Sequence, residues 1–282
     1  MPVVMSRMTR PPDDAAEVLL SGDLTVLGRI RSASNATFLC EATFGELQQH
    51  CVYKPISGEA PLWDFPDGTL AGRELGAYLV SAALGWNVVP HTIIRNGPAG
   101  RGMVQRWVDR PGDALSDADE PDPEGPDLVD LVPAGKLPSG YLPILQAYDY
   151  AGDEVLLVHA DDPRLYRMAV FDVLINNADR KGGHVLAGTD GGVYGVDHGV
   201  SLHSEDKLRT VLWGWAGKPL EDDTLTDIAA LGDALRDGLG AQLAEHLTRR
   251  EIAALQARVV ALLSNPVMPT PDRHRPIPWP AF

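Results

Sequence analysis

The 282-residue sequence lacks most features of membrane-spanning, secreted or nucleic-acid-binding proteins. No stretch approaches the roughly 18 apolar residues that a membrane-spanning helix needs. Residues 1–14 lack the basic-then-apolar pattern of a signal peptide. Basic residues are few, 24 against 39 acidic ones, and the net charge of −15 repels nucleic acid and anionic lipid at long range. We therefore expect a cytoplasmic protein with no nucleic-acid partner and no integral membrane association, although a local basic pocket for one phosphorylated ligand stays possible.

Cysteine is also scarce, since Cys40 and Cys51 are the only two in the sequence. Such a low count is typical of proteins from a reducing compartment. The two residues could face each other across a hairpin. We interpret them as two small core residues rather than as a disulfide or a metal-binding pair. No internal repeat is visible along the chain.

The first hundred residues have the alternating pattern of a small β-rich lobe. Residues 1–13 are typical of a flexible arm, and residues 14–21 predict a short helix. A longer helix is predicted over 69–84 because its apolar residues form one stripe and Gly85 follows it. Strand-like runs occur at 24–30, 37–43, 49–55, 88–95 and 102–108. Five strands with one helix after the third predict a compact N-terminal lobe over 14–108.

The rest of the chain has a different character. Residues 109–130 contain nine acidic residues, one basic residue and four prolines, which predicts an exposed linker or flap over 109–139. From about residue 140 the pattern favours helices, so we expect a mostly helical lobe over 140–265 and a proline-rich tail over 266–282. Within that lobe the sequence predicts a helix over 162–177, short strands at 184–188 and 192–197, and a capping box at 248–251. Asp172 interrupts the apolar stripe of the helix over 162–177, and we interpret it as a hydrogen-bonded buried acid.

The stretch NNADRKGGHVLAG, residues 176–188, gathers acidic, basic, glycine and histidine residues just after a predicted helix. Asp179 comes first, His184 follows five residues later, and Asp197 closes the second strand of the predicted hairpin. Phosphoryl transfer needs one carboxylate to orient the attacking hydroxyl and a second to hold a magnesium ion on the nucleotide phosphates. Asp179 and Asp197 are candidates for these two roles.

The N-terminal lobe supplies the complementary residues. Lys54 ends the third predicted strand, and Glu74 lies twenty residues further along, on the border of the helix's apolar stripe. A strand lysine paired with a helix glutamate is how kinase folds fix an ammonium group on nucleotide phosphates. Residues 32–35 would form the loop above those phosphates, because their small side chains let backbone amides approach.

The order YKP, RE, QRWV, NNADRKGGH, VDHG and WGW resembles the phosphatidylinositol 3/4-kinase-related branch of the kinase superfamily, over roughly residues 24–220. Within this branch the sequence resembles the type II phosphatidylinositol 4-kinases, and it resembles actinobacterial proteins of the group more closely still. HipA-like kinases share the general plan. The resemblance implies a two-lobed α+β protein-kinase-like fold that uses ATP with Mg²⁺ or Mn²⁺. It implies that Asp179 is catalytic, that Lys54 binds phosphates and is held by Glu74, and that Asp197 is a metal ligand. The nucleotide-binding residues it implies are Ser32, Ser34, Asn35, Lys54, Gln105, Arg106, Trp107 and Val108, the last four lining an adenine hinge.

One residue and one longer stretch depart from the family pattern. His184 stands where the family usually supplies an asparagine as the second metal ligand, and imidazole prefers softer metals than magnesium. His184 would then contact phosphate or a manganese ion, or the site would be weakened. The stretch 198–210, where lipid kinases carry a basic activation loop, has two acidic residues against two basic ones. Lipid-kinase activity therefore does not follow from the resemblance.

These observations favour an ATP-dependent phosphotransferase. The acceptor would be a hydroxyl of a protein, including this chain itself, or of a small polar molecule. The alternatives left open are a nucleotide-binding pseudokinase, an AMP-transferring enzyme and a phosphoinositide kinase. A metallohydrolase built on His184, Asp197, His198 and His203 is disfavoured, because these residues lack the helical spacing of such sites.

Overall fold

A computed structural model describes residues 14–30, 35–112, 127–149 and 151–282. The flexible arm expected over 1–13, and the predicted nucleotide contacts of Ser32 and Ser34, lie outside these residues.

A five-stranded antiparallel sheet forms the N-terminal part of the protein, with strand order β1-β2-β3-β5-β4. Its elements are α1 Asp14–Ser21, β1 Asp23–Arg29, β2 Phe38–Phe44, β3 Leu47–Pro55, β4 Thr92–Gly97 and β5 Gly100–Arg106. Four of the predicted strands agree closely with these bounds. The strand predicted at 88–95 differs, because β4 begins only at Thr92. Pro90, which precedes it, has no N–H to donate to a ladder.

A small core covers one face of this sheet. Cys40 of β2 lies directly opposite Cys51 of β3, and both are buried free thiols. Val18 and Leu19 of α1 pack against them. Burial raises the pKa of the Cys40 thiol to about 11 and that of Cys51 to about 12. The interpretation of the two cysteines as small core residues is therefore confirmed.

Helix α2, Leu70–Leu84, links the sheet to the helical part of the protein. It begins where the Thr69 side chain accepts a hydrogen bond of 2.9 Å from the backbone N–H of Gly72. It ends at Gly85, whose φ of 69° is a left-handed conformation that glycine adopts without steric cost. Ala77 and Val80 are buried in the larger core, which the C-terminal helices complete. The helix that carries Glu74 is thus held by both halves of the protein.

A second sheet follows the five-stranded sheet in the sequence and has the order β6-β8-β7. Its strands are β6 Val129–Pro133, β7 Tyr141–Tyr148 and β8 Glu154–Ala160. The helical pattern expected from residue 140 is therefore wrong for 141–160, and β6 lies inside the stretch predicted as a linker or flap. Periodicity alone does not separate a short apolar run such as EVLLVHA from a buried helical segment. Pro143, beside a register shift in β7, further obscured the strand pattern.

The remaining elements form the helical region and one short hairpin. They are α3 Pro163–Ile175, β9 Val185–Ala187, β10 Val193–Gly195, α4 Asp222–Arg236, α5 Gly238–Leu243 and α6 Arg249–Ser264. The predicted capping box is present, because Thr248 and Glu251 exchange hydrogen bonds at the start of α6. In the part of the chain that the structure describes, no helix is long and apolar enough to cross a membrane.

Candidate functional site

A cavity of about 420 Å³ separates the five-stranded sheet and α2 from the loop after α3. The sequence-predicted residues that line it are Asn35, Lys54, Glu74, Asp179, His184 and Asp197. They come from five separate segments of the chain. The fold therefore brings both halves of the predicted phosphotransfer machinery to one place.

Lys54 lies between two carboxylates at the end of β3. Its Nζ is 2.8 Å from Oε1 of Glu74 and forms a second ion pair with Oδ1 of Asp197. Burial alone would lower the pKa of Lys54, but the two carboxylates outweigh it and raise that pKa above its ordinary value. The ammonium therefore stays charged at neutral pH.

Glu74 connects α2 to the strand end that carries Asp197. Its side chain is only 3% exposed. Oε1 accepts from Lys54, and Oε2 accepts a hydrogen bond of 3.0 Å from the backbone N–H of His198. Because both oxygens have partners, the glutamate fixes the lysine and the residue next to Asp197 at the same time.

Asp197 has an unusual backbone conformation. Its φ is 60°, in the left-handed region that residues other than glycine seldom adopt. Strain of this kind persists where the surrounding structure imposes it, and it is frequent at functional sites. The side chain remains 49% exposed towards the cavity. Burial raises its pKa, but Lys54 and His184 overcome that effect and lower the pKa to about 2. Asp197 is therefore an ionised carboxylate with room for a ligand.

Asp179 lies in the turn that follows α3. The helix ends at Asn176 in a left-handed conformation with φ of 53°, and the Asp179 N–H donates to Oδ1 of Asn177 over 3.0 Å. Its carboxylate Oδ2 is 3.6 Å from Nζ of Lys181. Burial raises the pKa of Asp179, and Lys181 partly opposes the rise.

His184 lies on the same side of the cavity as Asp197. Its Nε2 is 3.5 Å from Oδ2 of that carboxylate. Burial lowers the pKa of His184 to about 4, although Asp197 acts in the opposite direction. The imidazole is therefore neutral at neutral pH, which is the form that can bind a metal ion.

A buried ion pair beneath the cavity fixes the loop that carries Asp179. Asp172 and Arg180 are both 0% exposed, and Nη2 of Arg180 is 2.9 Å from Oδ1 of Asp172. Nη1 of Arg180 also donates to the backbone oxygens of His184 and Val196, each over 3.3 Å. The sequence indicated a hydrogen-bonded acid at Asp172 but missed Arg180. A buried charged acid is stable only with a partner that offsets its charge. Arg180, a basic residue eight positions after Asp172, was the signal in the sequence for that partner.

His198 belongs to this buried network rather than to a metal site. Its Nε2 lies 2.7 Å from Nη2 of Arg180. Because a guanidinium can only donate, this ring nitrogen accepts and the imidazole is neutral. Burial, followed by Arg180, lowers the pKa of His198 well below its ordinary value. His203 instead packs edge-on against Phe65. Among the described residues, no group of three or more histidine, cysteine, aspartate or glutamate side chains forms a ready metal cage.

The four residues predicted to line an adenine hinge lie outside the lining of this cavity. Gln105 is buried, and its Nε2 donates to Thr92 Oγ1 over 2.9 Å. The Trp107 backbone N–H donates to the His50 backbone oxygen over 3.0 Å. Arg106 lies over the Tyr194 ring. Neither these residues nor Val108, which is also buried, are among the described residues that line the cavity. Their role in binding adenine stays a prediction.

Asn35 and Glu59 shape the rim of the cavity on the sheet side. Oδ1 of Asn35 accepts from the Ala60 N–H over 2.9 Å. Glu59, which the sequence analysis missed, accepts from the N–H groups of Leu70 and Ala71 over 2.9 and 2.8 Å. Glu59 therefore caps the start of α2, although it stands eleven residues before the first residue of that helix. No local capping pattern has that spacing, so the sequence carried no clear signal for it.

Arg73, the neighbour of Glu74, ties α2 to the C-terminal helices. It is 1% exposed, and its Nη2 is 2.5 Å from Oε1 of Glu251 at the start of α6. Its Nη1 donates to the Ser201 backbone oxygen over 2.9 Å. Arg73 therefore anchors the part of α2 that carries Glu74 to the C-terminal half of the chain.

The donor set of the cavity fits a magnesium or manganese ion on a nucleotide. Mg²⁺ at phosphate sites takes about one or two carboxylates from the protein, and phosphates and waters complete its shell. Asp197 is ionised and half exposed, and Asp179 lines the same cavity. His184 adds an imidazole nitrogen, which suits manganese better than magnesium.

Comparison with solved structures defines the fold as kinase-like. A structure described as the crystal structure of the golgi casein kinase aligns with a TM-score of 0.50 and 13% sequence identity, over 89% of this chain and 73% of that chain. At this identity the likeness shows the fold, and it confirms the predicted α+β kinase-like class. No protein-family model matches the sequence. The chain is 70% identical over 270 residues to Protein Rv2133c of Mycobacterium tuberculosis, covering 96% of each protein. It belongs to the same family as that protein.

Proposed function

We propose that this protein is an ATP-dependent phosphotransferase that transfers the γ-phosphate to a hydroxyl group. The observation that carries the proposal is the contact of Lys54 with both Glu74 and Asp197 in a cavity that also contains Asp179. A charged lysine, an ionised aspartate and a second carboxylate are groups that this reaction uses. The kinase-like fold and the resemblance to phosphatidylinositol 3/4-kinases support the same reading.

We assign each residue a role in the reaction from its charge and its position in the cavity. Lys54 binds nucleotide phosphates, and Glu74 holds its ammonium in place. Asp197, with His184 beside it, would hold the metal ion, which neutralises charge on the phosphates when it is bound. Asp179 orients the acceptor hydroxyl and takes up its proton. Its raised pKa makes it a better base than an ordinary aspartate.

The acceptor is a protein hydroxyl or a small polar molecule rather than a phosphoinositide. Lys207, one of two basic residues in the segment 198–210, has its Nζ 3.8 Å from Asp64 and 4.0 Å from Glu205. Its charge is therefore shared with two acids, and the net charge of −15 opposes binding to anionic membranes. We expect no appreciable binding to phosphoinositide vesicles at physiological salt.

The decisive experiment is incubation of the purified protein with ATP and either Mg²⁺ or Mn²⁺, followed by mass spectrometry of the protein and of added hydroxyl acceptors. Addition of one phosphate supports the proposal, whereas addition of AMP would show nucleotidyl transfer. Metal-dependent ATP binding without turnover would show a pseudokinase. Phosphorylation of inositol lipid in a parallel vesicle sample would show a lipid kinase. A protein that neither binds nor turns over ATP would overturn all four readings.

A further inference from the structure

Residues 266–282, here called the strap, follow the segment 210–220 in the opposite chain direction. At its start, the Pro266 oxygen accepts from the Leu220 N–H over 2.8 Å. Further along, the Pro276 oxygen accepts from the Thr210 N–H over 3.0 Å and from Nε1 of Trp213 over 2.9 Å. The stretch predicted only as a proline-rich tail is therefore hydrogen-bonded along much of its length.

The strap reaches the loop that carries Asp179. The backbone oxygen of Ala281 accepts a hydrogen bond of 2.8 Å from the Gly182 N–H. The Phe282 ring covers Gly182 so closely that a Cβ placed on this glycine would lie 2.3 Å from Cε1 of the ring. Gly182 does not have a positive φ, so the close approach of the ring of Phe282, a residue that is 46% exposed, is the feature that disfavours a larger residue here.

Gly182 sits between residues of the candidate site. Lys181 and His184 on either side of it line the cavity, and Asp179 lies three residues before it. Arg180 fixes one end of this loop by bonding to Asp172 and to the His184 oxygen. In the middle of the loop the Gly182 N–H instead bonds to the strap. The Asp179–His184 loop is therefore fixed by two contacts, the buried Asp172–Arg180 ion pair and the hydrogen bond from Gly182 to the strap.

We propose that Phe282 and Ala281 are positioning residues, which hold the Asp179–His184 loop in the geometry needed for transfer. This inference rests on the proposed function. A displacement of about 1 Å in such a loop is enough to lower turnover by about 100-fold. Phe282 does not line the cavity in the described part of the chain. Its loss should therefore lower kcat while leaving the KM for ATP almost unchanged.

A double-mutant cycle on Gly182 and Phe282 tests this inference. Gly182→Ala should lower kcat by about 10- to 100-fold, because the added methyl group forces the ring and the loop apart. Phe282→Ala should lower kcat less, and the double variant should return to the level of Phe282→Ala alone, because the clash is gone. The KM for ATP should change by less than about 2-fold in all three variants.

Two variants serve as matched controls. Gly183→Ala changes the adjacent glycine, which is exposed and has no heavy atom within 4 Å of an added Cβ. Trp279→Ala changes a side chain of the same strap that is 88% exposed. Both should keep the wild-type kcat. A wild-type kcat in Gly182→Ala, or losses that simply multiply in the double variant, would overturn the positioning role.

A melting-temperature cycle on the same variants separates this inference from the proposed function. If the changes in melting temperature of Gly182→Ala and Phe282→Ala do not add in the double variant, the two residues are coupled and in contact. This result does not depend on whether the protein transfers phosphate. A wild-type protein that transfers no phosphate would overturn the proposed function, and the positioning role with it, even if that coupling is present. Active protein with coupling in melting temperature but an unchanged kcat would overturn only the positioning role.

Discussion

Two ionic clusters lie close together in this protein and differ in how completely the protein satisfies them. In the first, Asp172 and Arg180 are fully buried, and Asp172 also accepts from Asn177 and Thr210 over 3.0 Å each. In the second, Lys54 is bound by Glu74 and Asp197, yet the side chain of Asp197 remains 49% exposed to a cavity. The first cluster has no room for a ligand, whereas the second leaves a carboxylate facing open space.

The difference shows which charges support the fold and which are available for chemistry. A buried pair with all partners in place fixes the backbone around it, here the loop from Asp179 to His184. A pair at a cavity wall can exchange a protein partner for a ligand, because its side chains are partly exposed. The buried Asp172–Arg180 pair thus fixes the bottom of the site, whereas the Lys54–Asp197 pair at the cavity wall is free to rearrange around the proposed nucleotide.

The largest expected effect comes from breaking the buried cluster. Asp172→Ala leaves Arg180 charged, buried and unpaired, and should lower the free energy of unfolding by about 3–5 kcal/mol. Arg236→Ala is the control, because it removes the exposed Arg236–Asp233 pair on α4. It should cost only about 0–1 kcal/mol. Chemical denaturation of both variants measures the contrast, and equal losses would contradict it.

Asp179→Ala should strongly slow transfer while leaving the fold and nucleotide binding largely intact. Asp179 is proposed to contact the acceptor and not ATP, so we expect kcat to fall by about 100- to 10,000-fold. Steady-state kinetics together with an ATP titration separate the two effects. Reduced ATP affinity with normal turnover at saturation would show that Asp179 binds the nucleotide instead.

Lys54→Met should weaken ATP binding and lower turnover by about 100-fold. The side chain is 21% exposed and contacts two carboxylates rather than the apolar core. The variant should therefore still fold, with a lower free energy of unfolding because the buried Glu74 carboxylate loses its cationic partner. The check is the melting temperature with and without ATP. If the variant keeps the full ATP-induced rise, Lys54 does not bind the phosphates.

The smallest expected effect is a change in metal preference. His184→Asn replaces an imidazole 3.5 Å from Asp197 with an amide oxygen, a harder ligand. Wild-type activity should favour Mn²⁺, and the variant should shift a few-fold towards Mg²⁺. Paired assays over a range of each metal measure the ratio, and an unchanged ratio would place His184 outside the metal shell.

The sequence was informative where a local pattern matches a chemical need. Lys54 at a strand end, Glu74 on a helix and Asp197 in VDHG each stand in a recognisable motif, and the fold brings them to one cavity. Asp172 was noticed because an acid interrupts an apolar stripe. Predictions failed where contacts join distant segments. Arg73 and Glu251 are 178 positions apart, and Glu59 caps a helix that begins eleven residues later. Strands β7 and β8 were missed because apolar runs of that length do not distinguish strand from helix.

The most direct test of the account is a calorimetric titration of ATP in the presence of Mn²⁺. The proteins to compare are the wild type, Asp197→Asn, and Asp233→Asn as a control that changes an exposed carboxylate on α4. We predict one metal-dependent ATP site in the wild type and in the control. Asp197→Asn should lose that site, with the free energy of unfolding changed by less than about 1 kcal/mol. Unchanged ATP affinity in Asp197→Asn, or no binding in the wild type, would contradict the claim that the Lys54 and Asp197 cavity binds a nucleotide.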